Sequence, residues 1–121
     1  MNRSKRQRTP LLARSSAGLI AIYVISFALF LDNHSLAPVI APYAASLGAT
    51  VAMAGVIVGA FSAINLFSNL GAGYILDRIG RRLPLLTGLA LMGVALLLYP
   101  VAGEPERLLV LRMVHGLGAG L

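Results

Sequence analysis

Long apolar runs without charge alternate with short polar segments along this chain. No Asp, Glu, Lys or Arg occurs between Ala37 and Leu76 or between Leu83 and Gly103. A helix needs about 20 apolar residues to cross the ~30 Å hydrocarbon core of a bilayer. Both runs are long enough, so the pattern predicts an all-α integral membrane protein. Charged, proline and glycine positions divide it into helices at about 17–43, 50–73, 84–101 and 107–121.

The first predicted helix begins near Ala17, continues past Asp32 and reaches about Tyr43, where Pro38 and Pro42 bend or end it. A cleaved signal peptide is the alternative, because a basic segment precedes the apolar run. The sequence after Pro38 argues against cleavage, since it contains further membrane segments and no domain that would be released.

The fourth apolar segment, Leu108–Leu121, is shorter than a membrane crossing. Fourteen residues at ~1.5 Å per residue cover about 21 Å, against ~30 Å for the hydrocarbon core. We therefore expect a truncated fourth helix and a chain that is a fragment or a shortened gene product.

Basic residues are concentrated at two places, and this gives the predicted orientation. Of ten Lys and Arg residues, five lie in the polar tail, residues 1–16, and three in the loop 77–82. Basic flanks of membrane spans lie on the cytoplasmic side. We expect the N-terminus and this loop in the cytoplasm, in a multi-pass protein of the cell (inner) membrane. The basic residues are clustered beside membrane spans and are not spread over a folded face. This argues against a nucleic-acid partner despite the net charge of +6.

Two ionisable residues lie inside predicted spans, Asp32 in the first and Arg112 in the fourth. Counting the helical rise from the predicted boundaries places both about 8 Å from the outer membrane edge. Buried ionisable residues in membranes usually pair with each other or face a wet cavity. We expect an Asp32–Arg112 interaction, either purely structural or functional.

Two histidines accompany these charges. His34 lies near the predicted depth of Asp32, and histidine is the side chain that titrates near neutral pH. A proton role is one interpretation of His34, and a merely hydrogen-bonded residue is the other. His115 shares a helix face with Arg112, so we expect both to face a cavity.

Small and amide residues form a stripe along the second helix. Gly55, Gly59 and Asn69 share one face, with Asn65 at its margin. Such residues let helix backbones approach closely, and Asn can bond across helices. Helix packing explains the stripe, with substrate contact by Asn65 or Asn69 as the alternative. Gly116 and Gly120 in the fourth helix are also predicted packing positions.

The sequence contains no pattern that indicates an enzymatic or a cofactor site. The chain has no cysteine, and His, Asp and Glu are too few and too dispersed for a metal site. No serine–histidine–acid set and no phosphate-binding glycine loop is present. We expect no enzymatic activity, no cofactor and no metal.

The charged loop between the second and third helices carries a motif. Its residues are Gly73, Asp77, Arg78, Gly80, Arg81 and Arg82. This arrangement, between two spans, resembles the signature G-x-L-a-D-R-x-G-R-K of the major facilitator superfamily (MFS).

Two further segments resemble the drug:proton antiporters of the same superfamily. The run from Arg112 to Gly120 is similar to their fourth-helix pattern R-x-x-Q-G-x-G-a-a, with His115 in place of Gln. Leu31-Asp32-Asn33, followed by Pro38 and Pro42, resembles their acidic first-helix motif.

The resemblance implies the first three helices and part of the fourth of an MFS N-terminal half, from a carrier of twelve or fourteen helices. It implies transport of a small solute, most of all proton-coupled efflux. It also implies that the loop motif acts as a conformational latch, which binds helices missing from this chain. Such a fragment is expected to be inactive alone. The alternatives are an importer of a sugar or organic anion and a small membrane protein that transports nothing.

Overall fold

The computed structural model describes the backbone of residues 11–121 and the side chains from residue 16 onward, except Asn33. Most of the predicted basic tail, residues 1–10, lies outside the described residues. The described elements are helices, with no strand among them: α1 Leu11–Ser46, α2 Val51–Ile79, α3 Arg82–Leu98, a 3-10 turn Tyr99–Val101 and α4 Pro105–Ala119.

The predicted all-α membrane architecture is confirmed. Helices α1, α2 and α3 are each long and apolar enough to cross a membrane. Large apolar side chains are exposed along all three, among them Phe27, Phe67 and Leu97. Helices satisfy their backbone hydrogen bonds internally, so such faces are compatible with lipid or with further helices. The chain is a multi-pass membrane protein.

Helix α1 extends beyond both predicted ends. It begins at Leu11 rather than near residue 17, and it passes through Pro38 and Pro42 to Ser46. Proline removes a backbone donor, but a helix remains the conformation that satisfies the other donors in an apolar environment. At its end the Ser46 hydroxyl donates to the Tyr43 carbonyl at 2.7 Å.

The chain divides within α1 into two compact units, residues 1–34 and 35–121. In the first unit, the described side chains of residues 16–31 are exposed and mostly apolar. The second unit contains the last part of α1 together with α2, the 3-10 turn, α3 and α4. Its helices pack on one another and contain the core described below.

Helix α2 begins at a side-chain cap and ends at a glycine. The Thr50 hydroxyl accepts a hydrogen bond from the Met53 amide at 3.2 Å. Gly80, at φ +81°, follows the last residue of α2 and donates its N–H to the Leu76 carbonyl. The helix therefore extends to Ile79, six residues past the predicted end. It stops there because glycine adopts this positive φ without the strain that a side chain brings.

Helix α4 packs against both α2 and α3, and its alternate glycines make this possible. A Cβ on Gly116 would lie 2.5 Å from the Phe61 carbonyl oxygen of α2, and one on Gly120 would meet Ser68 of the same helix. A Cβ on Gly118 would lie 2.7 Å from the Gly88 carbonyl oxygen of α3. Residues two apart point to nearly opposite sides of a helix, so the Gly-x-Gly-x-Gly run allows close approach on both sides.

The buried core of the second unit lies toward the end where α1 meets α2 and the 3-10 turn precedes α4. Seven buried apolar residues form it: Ile40, Ala44, Ala54, Ile57, Tyr99, Ala102 and Leu108. They come from α1, α2, the 3-10 turn and α4, with Ala102 directly after the 3-10 turn. The core therefore fixes the N-terminal end of α4, the helix that carries Arg112 and His115.

Candidate functional site

Arg112 is buried on α4, with 4% of its surface exposed. Its Nη2 donates to the Val58 carbonyl of α2 at 3.3 Å. Its Cζ lies 4.6 Å from the centre of the Phe61 ring, a cation–π distance. Its Nε is buried and has no hydrogen-bond partner among the described residues. A guanidinium stays charged in proteins, so α4 carries an incompletely bonded cation inside the helix packing.

His115 lies one turn further along α4 and is fully buried. Its Nδ1 and the Tyr99 hydroxyl are 2.8 Å apart. The Tyr99 carbonyl in turn accepts a hydrogen bond from the Tyr43 hydroxyl at 2.9 Å. These bonds connect α1, the 3-10 turn and α4 through polar groups at the edge of an apolar core.

Phe61 of α2 lies between the two polar residues of α4. The His115 ring meets it edge-on, with ring centres 5.1 Å apart and planes at 70°. The Arg112 guanidinium faces the same ring. Gly116 allows this contact, because any side chain there would strike the Phe61 backbone. Arg112, His115 and Phe61, with Tyr99, are called the α4 cluster below.

The cavity that Arg112 and His115 are expected to face stays a prediction. Both side chains are buried in the described structure, Arg112 against Val58 and Phe61 of α2 and His115 against Phe61 and Tyr99. The backbones of α4 and α2 approach closely at Gly116, next to His115 on α4.

Asp32 and His34 belong to the first unit. Asp32 is partly buried and takes part in an interaction of its own. His34 is exposed, its ring stacks on Phe30 with centres 3.9 Å apart, and its Nδ1 lies 2.9 Å from the Phe30 carbonyl. A carbonyl only accepts, so Nδ1 is the donor in this bond. The Asp32–Arg112 interaction stays a prediction.

The predicted stripe of α2 divides into residues that meet α4 and residues that do not. The Asn65 amide donates to the Gly116 carbonyl at 3.5 Å, and Asn69 donates to Asn65 Oδ1 at 3.0 Å. Gly55 and Gly59 have open space beside them within the described chain. The face of α2 that α4 covers instead includes Ala54, Ile57, Phe61 and Ser68, which are buried. Packing at Gly55 and Gly59 therefore stays a prediction for helices outside this chain.

Sequence reasoning missed Phe61, Tyr99 and the contact of Gly88 with Gly118. Aromatic residues inside apolar runs look like ordinary packing residues until the helices are placed together. The repeat of glycines at 116, 118 and 120 was a usable signal for two packing faces on α4.

The charged motif lies at the other end of the second unit, and much of it is helical rather than a loop. Gly73, Asp77 and Arg78 belong to α2, and Arg82 begins α3. The Arg78 guanidinium lies 4.6 Å from the centre of the Tyr74 ring. Arg78, Arg81, Arg82 and Asp77 are exposed, so their charges are available to water, lipid or another element.

The described residues also contain one apolar cleft of about 400 Å³ near the start of α4. Residues of α3, the 3-10 turn and α4 line it, among them Leu98, Val101 and Val110, with Glu106 and Arg107. Arg107 pairs with Glu104 at 3.2 Å. Within the described range, no three His, Cys, Asp or Glu residues come together as a metal site would require.

Comparison with known proteins gives a family match over most of the chain. Residues 22–121 match the family model of the Major Facilitator Superfamily. The chain is 27% identical over 103 residues to the quinolone resistance protein NorA of Staphylococcus aureus, covering 85% of this chain and 26% of that protein. It is 26% identical over 106 residues to an uncharacterized MFS-type transporter, MJ1560, of Methanocaldococcus jannaschii, covering 88% of this chain and 28% of that protein.

The chain thus spans about a quarter of the length of the curated relatives it matches. No solved structure matches it.

Proposed function

Because the chain belongs to the Major Facilitator Superfamily, we propose that it supplies the first helices of a secondary carrier that exports a small solute in exchange for protons. Members of this superfamily are transporters rather than enzymes. The observation that carries the proposal is Arg112, a buried cation on α4 whose Nε lacks a hydrogen-bond partner among the described residues. Such residues in membrane helices commonly belong to ion or substrate pathways.

Proton coupling needs a group that gains and loses a proton beside a charge that responds to it. Asp32 and His34 of α1 supply titratable side chains, and His115 lies beside Arg112 on α4. We propose Asp32 as the proton-binding carboxylate and Arg112 as the cation that attracts it while it is charged. Protonation of Asp32 would weaken this attraction and allow α1 and α4 to move relative to the other half of the carrier.

Export of a drug-like solute is favoured over import because a relative of this chain is named for quinolone resistance. The exposed motif residues Asp77, Arg78 and Arg81 are proposed to form the cytoplasmic latch. They would contact other helices of the carrier. Because the chain spans about a quarter of the length of its relatives, transport is proposed for the whole carrier.

Orientation can be tested with single cysteines, because the chain has none of its own. We expect Glu104→Cys to react with a membrane-impermeant maleimide added to intact cells, and Arg82→Cys to react only after the membrane is opened. Both positions are exposed, so a difference between them reports the side of the membrane. Labelling of Arg82→Cys in intact cells would reverse the proposed topology.

Transport is tested by expressing the whole coding region to which this sequence belongs in an efflux-deficient host. Everted membrane vesicles then receive a fluoroquinolone, with and without a protonophore. The proposal predicts that the vesicles accumulate the fluoroquinolone. It also predicts that the protonophore, which collapses the proton gradient, abolishes this accumulation. Accumulation that the protonophore leaves unchanged would exclude proton coupling. Uptake of a sugar or organic anion by intact cells would support an importer, and no flux of any solute would support a protein that does not transport.

A further inference from the structure

We propose that the apolar cleft near the start of α4 binds an acyl chain of a membrane phospholipid whose headgroup carries a primary ammonium, and that the Glu106 carboxylate binds this ammonium. None of the residues that line the cleft belongs to the α4 cluster. The proposal therefore does not depend on Arg112, on proton coupling or on the exported solute.

The first step of the argument is the position of the cleft, at the end of a membrane-spanning helix. The span that contains α3 runs from Arg82 to Val101. Leu98 and Val101, at the end of this span, line the cleft from one side, and Val110 of α4 lines it from the other. The charged motif ends where α3 begins, so the cleft lies toward the opposite surface of the membrane.

The second step is the need of this cleft for a hydrocarbon occupant. Leu98, Val101 and Val110 keep 44%, 69% and 57% of their surfaces exposed, so the cleft is open to its surroundings. An apolar space offers water too few hydrogen-bond partners, and a void deprives the lining of dispersion contacts. An acyl chain of the surrounding lipid supplies these contacts, so it is the occupant that the lining and the membrane position favour.

The third step is the charge beside the cleft. Acyl chains are apolar in every phospholipid, so the apolar lining alone does not select one lipid over another. Arg107 is paired with Glu104 at 3.2 Å, which offsets its charge. Glu106 also lines the cleft, is exposed, and has no ion-pair partner among the described residues. The uncompensated charge of the cleft is therefore one carboxylate.

This carboxylate distinguishes between phospholipid headgroups. Glu106 and Val110 are four residues apart and share one side of α4, so an acyl chain that packs on Val110 has its headgroup near Glu106. A primary ammonium donates charge-assisted hydrogen bonds to a carboxylate. The quaternary ammonium of phosphatidylcholine has no N–H to donate, and the carboxylate repels the net negative charge of phosphatidylglycerol. Phosphatidylethanolamine is the phospholipid that satisfies both the cleft and Glu106.

The experiment is photo-cross-linking of the product of the whole coding region in nanodiscs of phosphatidylcholine. The nanodiscs contain an equal, small fraction of a probe lipid with a diazirine in its acyl chain and an ethanolamine, choline or glycerol headgroup. Labelled peptides are identified by mass spectrometry. We expect the ethanolamine probe to label residues 98–111 about fivefold more than either other probe, the effect of one exposed ion pair near the upper end of its usual strength.

Two variants separate the carboxylate from the cleft. Glu106→Gln keeps the size of the side chain, and we expect it to lower labelling by the ethanolamine probe to the level of the choline probe. Val110→Trp fills the cleft, and we expect it to lower labelling of residues 98–111 by every probe to the level found along the exposed middle of α3.

Each variant has a matched control outside the cleft. Glu104→Gln makes the same chemical change as Glu106→Gln, at a carboxylate that does not line the cleft. Val94→Trp makes the same change as Val110→Trp, at an exposed valine of α3. Both controls are expected to keep the preference for the ethanolamine probe, with helix content checked by circular dichroism.

Equal labelling of residues 98–111 by the ethanolamine and choline probes would refute the role of Glu106, and stronger labelling by the glycerol probe would refute the charge argument. Unchanged labelling in Val110→Trp would place the acyl chain outside the cleft. If this segment is not labelled while the middle of α3 is, another helix of the carrier covers the cleft and the proposal is wrong. Should Val110→Trp fail to fold, the comparison of the three probes on the wild type still decides.

Discussion

Gly116→Ala is expected to lower the free energy of unfolding of the chain by about 2–3 kcal/mol, the upper range for overpacking a close contact. The added Cβ would lie 2.5 Å from the Phe61 carbonyl oxygen and 3.1 Å from its Cα. Both are backbone atoms, so no side-chain rotation can relieve the clash and α4 must move away from α2. The measurement is unfolding in mixed detergent micelles with increasing sodium dodecyl sulfate, followed by circular dichroism.

Gly59→Ala is the matched control, since it makes the same chemical change in a membrane helix. A Cβ there has no atom within 4 Å, so the expected change is within about 1 kcal/mol, the size of the difference in helix propensity. Equal destabilisation by the two substitutions would show that the close approach of α4 to α2 at Gly116 is absent in the membrane.

Arg112→Met is expected to abolish coupling while leaving the fold intact. Methionine fills a similar apolar volume and removes a buried cation whose Nε lacks a hydrogen-bond partner among the described residues. The proposed partner Asp32 can bind a proton instead of staying charged without a counter-ion. Under the proposed function, proton-driven accumulation of substrate falls by about a hundredfold, near the upper end of coupling energies between two sites. The assay is the everted-vesicle measurement, with protein amounts matched by immunoblot and helix content by circular dichroism.

Arg107→Met is the control for loss of one positive charge on the same helix. Arg107 is exposed and paired with Glu104, and exposed pairs contribute little. We expect transport close to the wild-type rate. If Arg112→Met transports substrate as well as the wild type does, Arg112 takes no part in the mechanism. If Arg112→Met and Arg107→Met lose the same amount of transport, the loss is an effect of net charge.

The membrane-spanning character of the chain could be predicted because it depends on a local property, the absence of charge over long runs. The residues at which the helices end were harder to predict. The sequence offers Asp77 and Arg78 as the start of a loop, yet α2 continues to Ile79. Charged side chains are compatible with a helix once it has left the hydrocarbon, so the positive φ of Gly80 ends it, not the first charge.

The candidate site was predictable only in its polar members. Arg112 and His115 stand out in an apolar segment because each is costly there. Phe61 and Tyr99 lie 51 and 13 residues before Arg112, and nothing local distinguishes them from other apolar positions. Their role arises from the packing of α4 against α2 and from the 3-10 turn, which places the Tyr99 hydroxyl at His115.

The central claim, that this chain begins a proton-coupled exporter, is tested most directly by proton movement driven by substrate. Everted vesicles that contain the product of the whole coding region are acidified inside, and a fluorescent probe reports the pH gradient while a fluoroquinolone is added. The account predicts proton release from the vesicles on each addition of drug, and no release in Arg112→Met. A pH gradient that fluoroquinolone leaves unchanged, in vesicles shown to accumulate the drug, would contradict it.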